Sequence, residues 1–570
     1  MDGDFREALA TGYERMGAWA ELLDRTNVFP IADGDTGRNL VISLAPLRRT
    51  ELPREALVRA LLFGARGNSG NIGARFLEGF VAEDRAPLRR RAAGGRELAW
   101  KAVAEPQPGT MLSLFDELVE ALDDTAERPD PAALAPLLER LADAVRRTRE
   151  QLPALRAAGV QDAGALGAFL FCEGFLSRLA GRMDQLRDPT ERFPEAVAFR
   201  PRDAAAEAGF CVDAVVRAGD FGDSALGRLE GAGESLVAIR RGDYLKVHVH
   251  ASDQQALRRR LEALGAVVHW SADDLREQAE DFVRPAASHA IHVMTDAAGS
   301  VSRDAARRLG VTLLDSYISV GERVVPETRL PQEELFAAMR AGEKVSTSQA
   351  SVFERHQHYE RVLRLHERVL YLCVGSFYTG NHAAAVDWVR ERDAADRLVV
   401  LDSGAASGRL GLMVRAVARR AAEVADAEAV VAFARQVVET CREWVFLDRL
   451  HWIALGGRLS KTSAFFGDLL RVKPIVSPMA DGVRKAGTVR STDDQLPFAL
   501  ERLAETLGPR GAGRVLVQHT DNRDRLEGAI LPALRERFPA AELELAPLSN
   551  TSGAHMGPGT WGVAVLPAEP

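Results

Sequence analysis

The period of the hydrophobic pattern changes along this chain, from helical spacing alone to strands mixed with helices, which divides it into units of different class. Up to about residue 183 apolar residues recur at helical spacing. Phe5, Leu9, Met16, Leu22 and Leu23 open an amphipathic helix that ends near Arg25, and further helices are predicted over 111–126, 131–150 and 163–180. Glycine loops interrupt them at 64–73 and 159–167, and the Arg-, Gly- and Pro-rich stretch 83–109 reads as a surface loop or insertion. A Pro- and charge-rich linker at roughly 186–209 leads to short strands at 210–216, 235–240 and 244–250 and a helix near 253–264. A second linker near 276–289 precedes a unit in which apolar strands alternate with long helices, such as 411–424 and 427–443. A chain of 570 residues is too long for one core. The expectation is a multidomain protein: a mainly all-α unit over 1–185, a small α/β unit over 203–280 and a larger α/β unit over 289–567.

The balance of 46% hydrophobic and 27% charged residues is that of a soluble globular protein. No apolar run approaches the roughly 20 residues that span a bilayer, so no membrane span is expected. The acidic, amphipathic N-terminus lacks the basic and apolar regions of a secretory signal, and a cytoplasmic location is expected. Cys172, Cys211, Cys373 and Cys441 lie too far apart for a disulfide scaffold. A net charge of −8 gives no support to nucleic-acid binding.

Asp33 and Asp35 flank a glycine just after the first helix. Carboxylates this close repel unless a cation lies between them, and Mg²⁺ is the hard cation that prefers oxygen ligands. Taken alone, the pair reads more readily as an Asx turn with exposed acids than as a metal site. The context favours a metal–nucleotide site. Gly37 and Asn39 follow, and Ala65-Arg66-Gly67-Asn68-Ser69-Gly70-Asn71 forms a second glycine loop at a helix boundary, where backbone N–H groups can face phosphate. No Walker-type GxxxxGK[ST] sequence is present.

The segment NVFPIADGDTGRN resembles the NVFPVPDGDTGTN signature of the dihydroxyacetone kinase L-domain family, in its fatty acid kinase branch. ARGNSGNIGARFLEGF, PGTMLSLFDEL and DAGALGAFLFCEGF are similar to the next three signatures, in the same order. The resemblance covers about residues 5–180 and implies an eight-helix barrel that holds ATP and two Mg²⁺ at one end. By motif it makes Asp33 and Asp35 metal ligands, with Asn27 a third. Thr36, Gly37, Asn39, Asn68, Ser69 and Gly70 would face the phosphates, and Thr110, Met111, Asp162 and Gly164 would line the nucleotide pocket. Arg38 departs from the family's small polar residue.

In LKVHVH, His248 and His250 stand two apart on a strand and so on one face, and Cys211 lies on a strand that could run beside it. Such a set has Zn²⁺-ligand chemistry, although a His pair of this kind is also an ordinary half-buried strand pair. The segment resembles the middle domain of fatty acid kinases, which implies zinc held by this Cys and the two His, structural or catalytic.

In the third unit, strand candidates end at Asp296, Ser376, Ser403 and Thr520, and together they predict a polar pocket outside the strand ends. The Ser346–Ser351 loop, the turn Gly456-Gly457-Arg458-Leu459-Ser460-Lys461 and His555-Met556-Gly557-Pro558-Gly559 add hydroxyls, an arginine and a histidine suited to a carboxylate or acyl phosphate. TSQAS, SFYTG, LHWIALGGRLSK and HMGPGTWG resemble the motifs of the DegV family of fatty-acid-binding proteins over about 290–567. That resemblance implies two α/β lobes with a buried acyl chain. Thr347, Ser348 and Ser376 would hold the carboxylate, with Arg458 and His555 beside it. Ala297 and Ala350 depart from the family's Ser and Pro.

Together the resemblances imply a kinase fused to its lipid carrier, turning ATP and a fatty acid into ADP and an acyl phosphate. Arg458 would act on the transferring phosphoryl group from the carrier side. A homodimer is expected, and a downstream acyl-phosphate acyltransferase would take the product into phospholipid synthesis. Two alternatives stay open: a dihydroxyacetone or polyol kinase with a regulatory lipid-binding domain, and a non-enzymatic lipid carrier.

Overall fold

Helix α10 (Ala163–Leu179) is apolar on every side, and a helix of that kind belongs in an interior. All its residues except Arg178 are buried. It packs along α1 (Gly3–Ala18), which Asp2 caps by accepting from the Phe5 amide at 2.8 Å. Two glycines permit the close approach: a Cβ on Gly12 would stand 2.7 Å from the Phe171 carbonyl oxygen, and one on Gly174 2.8 Å from the Arg15 Cβ. The computed structural model describes residues 1–29, 33–103, 105–199, 209–217, 229, 231–274, 289–393, 395–449, 452 and 472–568. They divide into two compact units, Met1–Pro285 and Ala286–Pro570.

In the first unit, α2 (Ala20–Arg25), α3 (Thr36–Leu44), α4 (Arg54–Gly64), α5 (Gly67–Phe80), α6 (Leu88–Ala102), α7 (Met111–Ala121), α8 (Leu134–Gln151) and α9 (Pro153–Ala158) accompany α1 and α10. The packing runs α1, α3, α5, α6, α7, α8, α10 and back to α1, a closed ring. Met16, Leu40, Phe76, Met111, Phe115 and Phe171 line its apolar interior, where Phe76 and Phe115 stack at 4.0 Å.

Two sequence expectations fail here. The stretch 83–109 is not a surface loop: it contains α6, which packs between α5 and α7. Its glycines form a packing seam, since a Cβ on Gly79 would meet the Gly94 carbonyl oxygen at 2.3 Å. Nor are residues 189–198 a linker. They form two short helices, Pro189–Arg192 and Pro194–Ala198, anchored by fully buried Phe193 edge-on to Phe169 at 5.4 Å.

The remainder of the first unit is an antiparallel sheet of β1 (Phe210–Arg217), β2 (Glu234–Arg241), β3 (Tyr244–Ala251) and β4 (Ala266–Asp274), in the order β2-β3-β1-β4. One face carries Val212, Ala214, Val216, Leu245, Val247 and Val249 and packs with Leu257 and Leu261 of the helix Gln254–Glu262. The other face carries Cys211, Asp213, Lys246, His248 and His250. A polar face on such a sheet ordinarily meets water. Here all five are buried, because α5 packs against β1, β2 and β3.

In the second unit, β5 (His292–Asp296), β6 (Thr312–Leu314), β10 (Val369–Cys373) and β11 (Leu398–Asp402) form a parallel sheet in the order β11-β10-β5-β6. β7 (Tyr317–Val320), β8 (Arg323–Pro326) and β9 (Val345–Ser348) form an antiparallel sheet beside it. β12 (Arg442–Phe446), β13 (Lys473–Met479), β14 (Gly482–Val489), β15 (Gly513–His519), β16 (Ala541–Pro547) and β17 (Trp561–Pro567) make a mixed sheet ordered β14-β13-β12-β17-β15-β16. The helix Ser407–Glu423 packs against strands of both large sheets. Buried Glu443 accepts from Ser407 Oγ, the Gly408 and Arg409 amides and Gln518 Nε2, fastening the start of that helix to two strands of the mixed sheet. The four strand ends expected to line a polar pocket are divided between two sheets: those at Asp296, Ser376 and Ser403 belong to the parallel sheet, and that at Thr520 to the mixed one.

Candidate functional site

Asp33 and Asp35 are separated by Gly34, whose φ of 66° is a left-handed conformation that glycine adopts without strain. Asn27, Asp33 and Asp35 are all buried. Asn27 Nδ2 donates to Asp33 Oδ1 at 2.5 Å, which leaves the buried Asn27 Oδ1 with no hydrogen-bond partner. Burial, then the neighbouring Asp35 charge, holds the Asp33 carboxyl well above its usual range. Burial raises Asp35 too, against the pull of Arg38, Asn39 and His248. Two buried carboxylates and an orphaned amide oxygen form an all-oxygen set that suits a hard divalent cation.

Asp35 also begins α3, with the Asn39 amide donating to its carbonyl at 2.8 Å. Thr36, Gly37 and Asn39 are buried on that first turn. The glycine loop is the first turn of α5, and it lies against α3. A Cβ on Gly67, which has φ 61°, would fall 2.0 Å from Asn39 Nδ2, and one on Gly70 would fall 2.1 Å from Ser43 Oγ. The starts of α7 and α10 converge on the same place: a Cβ on Gly164 would have Asp162 Oδ2, Ser69 Oγ and Met111 Cβ as its nearest neighbours, at 3.1, 3.3 and 3.7 Å. Four candidates spread over 95 residues of sequence thus meet, arranged by three helix starts. Thr110 and Asp162 are the caps of α7 and α10, accepting from the Leu112 and Ala165 amides at 3.4 and 2.7 Å. Burial pushes the Asp162 carboxyl up to about 7.

On the polar face of the small sheet, Cys211 pairs in register with His250 and Asp213 with His248. Ligand atoms of Cys211, His248 and His250 lie within 4.8 Å of one another. His248 Nε2 and His250 Nδ1 are buried without a hydrogen-bond partner. A thiol and two imidazole nitrogens converging in this way fit Zn²⁺. Burial, then His248, pulls the His250 ring down to about 3, so it is neutral at pH 7 as a ligand must be.

Residues not picked from the sequence complete this region. Asp213 accepts from the Gly67 amide at 2.9 Å and from Asn71 Nδ2 at 3.1 Å, faces His248 Nδ1 at 3.3 Å and pairs with Lys246 Nζ at 3.2 Å. Burial works against the charge on Asp213, but Lys246 and His248 hold its carboxyl well below the usual range. Arg66 Nη1 reaches Ser271 Oγ at 2.6 Å. The period-two spacing of Lys246 with the histidines, and of Asp213 with Cys211, was the available signal.

In the second unit, Thr347 and Ser348 are on β9 rather than in the loop expected at 346–351. Thr347 Oγ1 and His555 Nε2 lie 3.1 Å apart, although 208 residues separate them in sequence. Ser376 is exposed, and its amide donates to Asp402 Oδ1 at 3.1 Å. A second hydrogen-bond network gathers around buried Asp296, one of the strand ends picked from the sequence. Asp296 accepts from Tyr371 Oη, Asn381 Nδ2 and the Val374 amide at 2.7, 2.8 and 2.7 Å, while Arg355 Nη1 joins Asn381 Oδ1 to Gln349 Oε1. Burial raises the Asp296 carboxyl to about 6. Arg458 and its glycine turn lie outside the described residues. Among the described residues no helix is long and apolar enough to cross a membrane.

Comparison with known proteins accounts for most of the chain. The DAK2 domain model matches residues 30–177, the fatty acid kinase-like middle domain model matches 207–282, and the model described as uncharacterised protein, DegV family, matches 290–568. Protein YloV of Bacillus subtilis (strain 168) is 28% identical over 370 residues, which are 58% of this chain and 66% of that protein. An uncharacterized protein of Staphylococcus epidermidis is 27% identical over 319 residues, 49% of this chain and 56% of its own length. The chain thus spans between 56% and 66% of these two curated relatives. Among solved structures, a DegV family protein from Thermus thermophilus, titled for its fatty acid binding, is 24% identical with a TM-score of 0.45, covering 49% of this chain and 99% of that one. DegV from Bacillus subtilis, titled a fatty acid binding protein, is 22% identical with a TM-score of 0.45 over the same shares. The chain is a multidomain protein that joins a DAK2 domain and a fatty acid kinase-like middle domain to a DegV-family domain.

Proposed function

We propose that the chain is a fatty acid kinase with its carrier attached, transferring the γ-phosphoryl group of ATP to a fatty acid carboxylate. The observation that carries this reading is the buried Asn27, Asp33 and Asp35 oxygen set, placed beside the starts of α3 and α5 in a chain that also holds a DegV-family domain. The units over 1–185, 203–280 and 289–567 would be kinase, zinc-bearing middle domain and carrier. Mg²⁺ held by the oxygen set would neutralise charge on the phosphates. The amides at the start of α5 and the side chains of Thr36, Asn39 and Ser69 would orient them. A fatty acid carboxyl titrates near about 4.3 and is ionised at pH 7, so no general base is needed. One carboxylate oxygen forms the bond to the γ-phosphorus as the bond to the β-phosphate oxygen breaks, giving acyl phosphate and ADP. Thr347 and His555, held together at 3.1 Å, suit the acceptor carboxylate, with Ser348, Ser376 and Arg458 as its further partners. An acyltransferase of phospholipid synthesis would consume the product.

Mass spectrometry of lipid extracted from the purified protein, followed by hydroxylamine trapping of acyl phosphate, tests the reading. Fatty acid in the extract and ATP- and Mg²⁺-dependent hydroxamate are expected. ATP turnover with dihydroxyacetone but with no fatty acid would overturn it.

A further inference from the structure

Asp213 is the only carboxylate among the described residues that hydrogen-bonds both the start of α5 and a member of the Cys211/His248/His250 cluster. Its Oδ2 accepts from the Gly67 amide and faces His248 Nδ1. Its Oδ1 accepts from Asn71 Nδ2 and pairs with Lys246. Asn71 Nδ2 also donates to the Gly67 carbonyl at 2.7 Å, so the first turn of α5 is tied to one carboxylate at both ends of Gly67. With Nδ1 toward Asp213, the buried and unpartnered Nε2 of His248 is the nitrogen left for the cluster.

We propose that Asp213 is a positioning residue that couples a divalent cation in the Cys211/His248/His250 cluster to the α5 start that would hold the nucleotide phosphates. The inference rests on the nucleotide-site reading above. A cation on Nε2 fixes the tautomer of His248, makes Nδ1–H the donor and strengthens it. That bond holds the carboxylate where Gly67 and Asn71 need it. Without the cation Asp213 alone selects the Nδ1–H tautomer and receives a weaker donor. Because Gly67 commits its own amide to Asp213 and the Gly70 amide begins the helical bonding at the Arg66 cap, the amides of Asn68 and Ser69 are the ones left for an anion. Coupling of this kind is reciprocal: nucleotide must retain the cation as much as the cation tightens nucleotide.

The test is calorimetric binding of Mg²⁺–ADP to the full chain, stripped with a chelator and then reloaded with Zn²⁺. Reloading should tighten the wild-type complex about tenfold, and Mg²⁺–ADP should lower the Kd for Zn²⁺ by the same factor. In Asp213→Asn, which keeps the shape and loses the charge, both factors should fall close to one. Hydrogen exchange at the Gly67 amide of the wild type should slow on Zn²⁺ loading, a measurement that stands whether or not the variant folds. Unchanged nucleotide affinity on reloading, or full coupling in Asp213→Asn, overturns the proposal and leaves the nucleotide site intact. Absence of Mg²⁺–ADP binding in both forms overturns the nucleotide-site reading and the coupling with it.

Discussion

At the scale of single residues, the consequential chemistry is carboxylate burial. Asp33 has a folded-state pKa above its unfolded value, so the folded protein holds the extra proton. Its stabilising effect is present at low pH and is lost as pH rises above the ordinary carboxylate range. The metal-free protein should therefore melt lower at pH 7.5 than at pH 5 on this account, and Mg²⁺ should restore the melting temperature at the higher pH. Asp33→Asn should raise the metal-free melting temperature at neutral pH, abolish the Mg²⁺ response and lower acyl-phosphate formation by about a hundredfold or more, the scale of a lost metal contact. Differential scanning fluorimetry and hydroxylamine trapping read the two effects. Asp296 differs, because three donors converge on it. Asp296→Asn offers one acceptor atom in place of two and leaves a buried donor unpaired, at a cost of about 1–3 kcal/mol in urea denaturation.

At the scale of elements, small residues decide which helices can touch. Gly12→Val should drive a branched side chain into the Phe171 backbone and part α1 from α10, costing about 1–3 kcal/mol. Gly3→Ala, on the same helix with nothing within 4 Å of its Cβ, should be neutral or slightly stabilising. Urea midpoints of the pair separate close packing from helix propensity. The same physics explains the misreading of 83–109. Glycine in such a composition suggests a loop, but Gly94 and Gly95 are where α6 approaches α5. Composition does not distinguish the two uses of glycine, because the difference lies in what stands across from it. Phe193 is the parallel case: one aromatic ring amid charges holds down a segment that otherwise reads as linker.

At the scale of the whole molecule, the proposed union of kinase and carrier in one chain would replace a docking equilibrium by a high effective concentration. If transfer occurs within the chain, activity per mole of protein should stay constant over about a hundredfold dilution. A fall in specific activity on dilution would instead assign transfer to the carrier of a second copy of the chain. The sequence by itself determined the change from helical to strand period, the order of the domains, the adjacent Asp33 and Asp35, and the shared face of His248 and His250. Each of these is a property of neighbours along the chain, set by backbone period and turn chemistry. The tertiary structure alone decided that α5 covers the polar face of the small sheet, that Asp213 ties Gly67 to His248, that Thr347 meets His555, and that Thr520 ends a strand of a different sheet from Asp296. These depend on which buried surfaces meet across long stretches of chain, and burial of one face against another leaves no periodic mark on either.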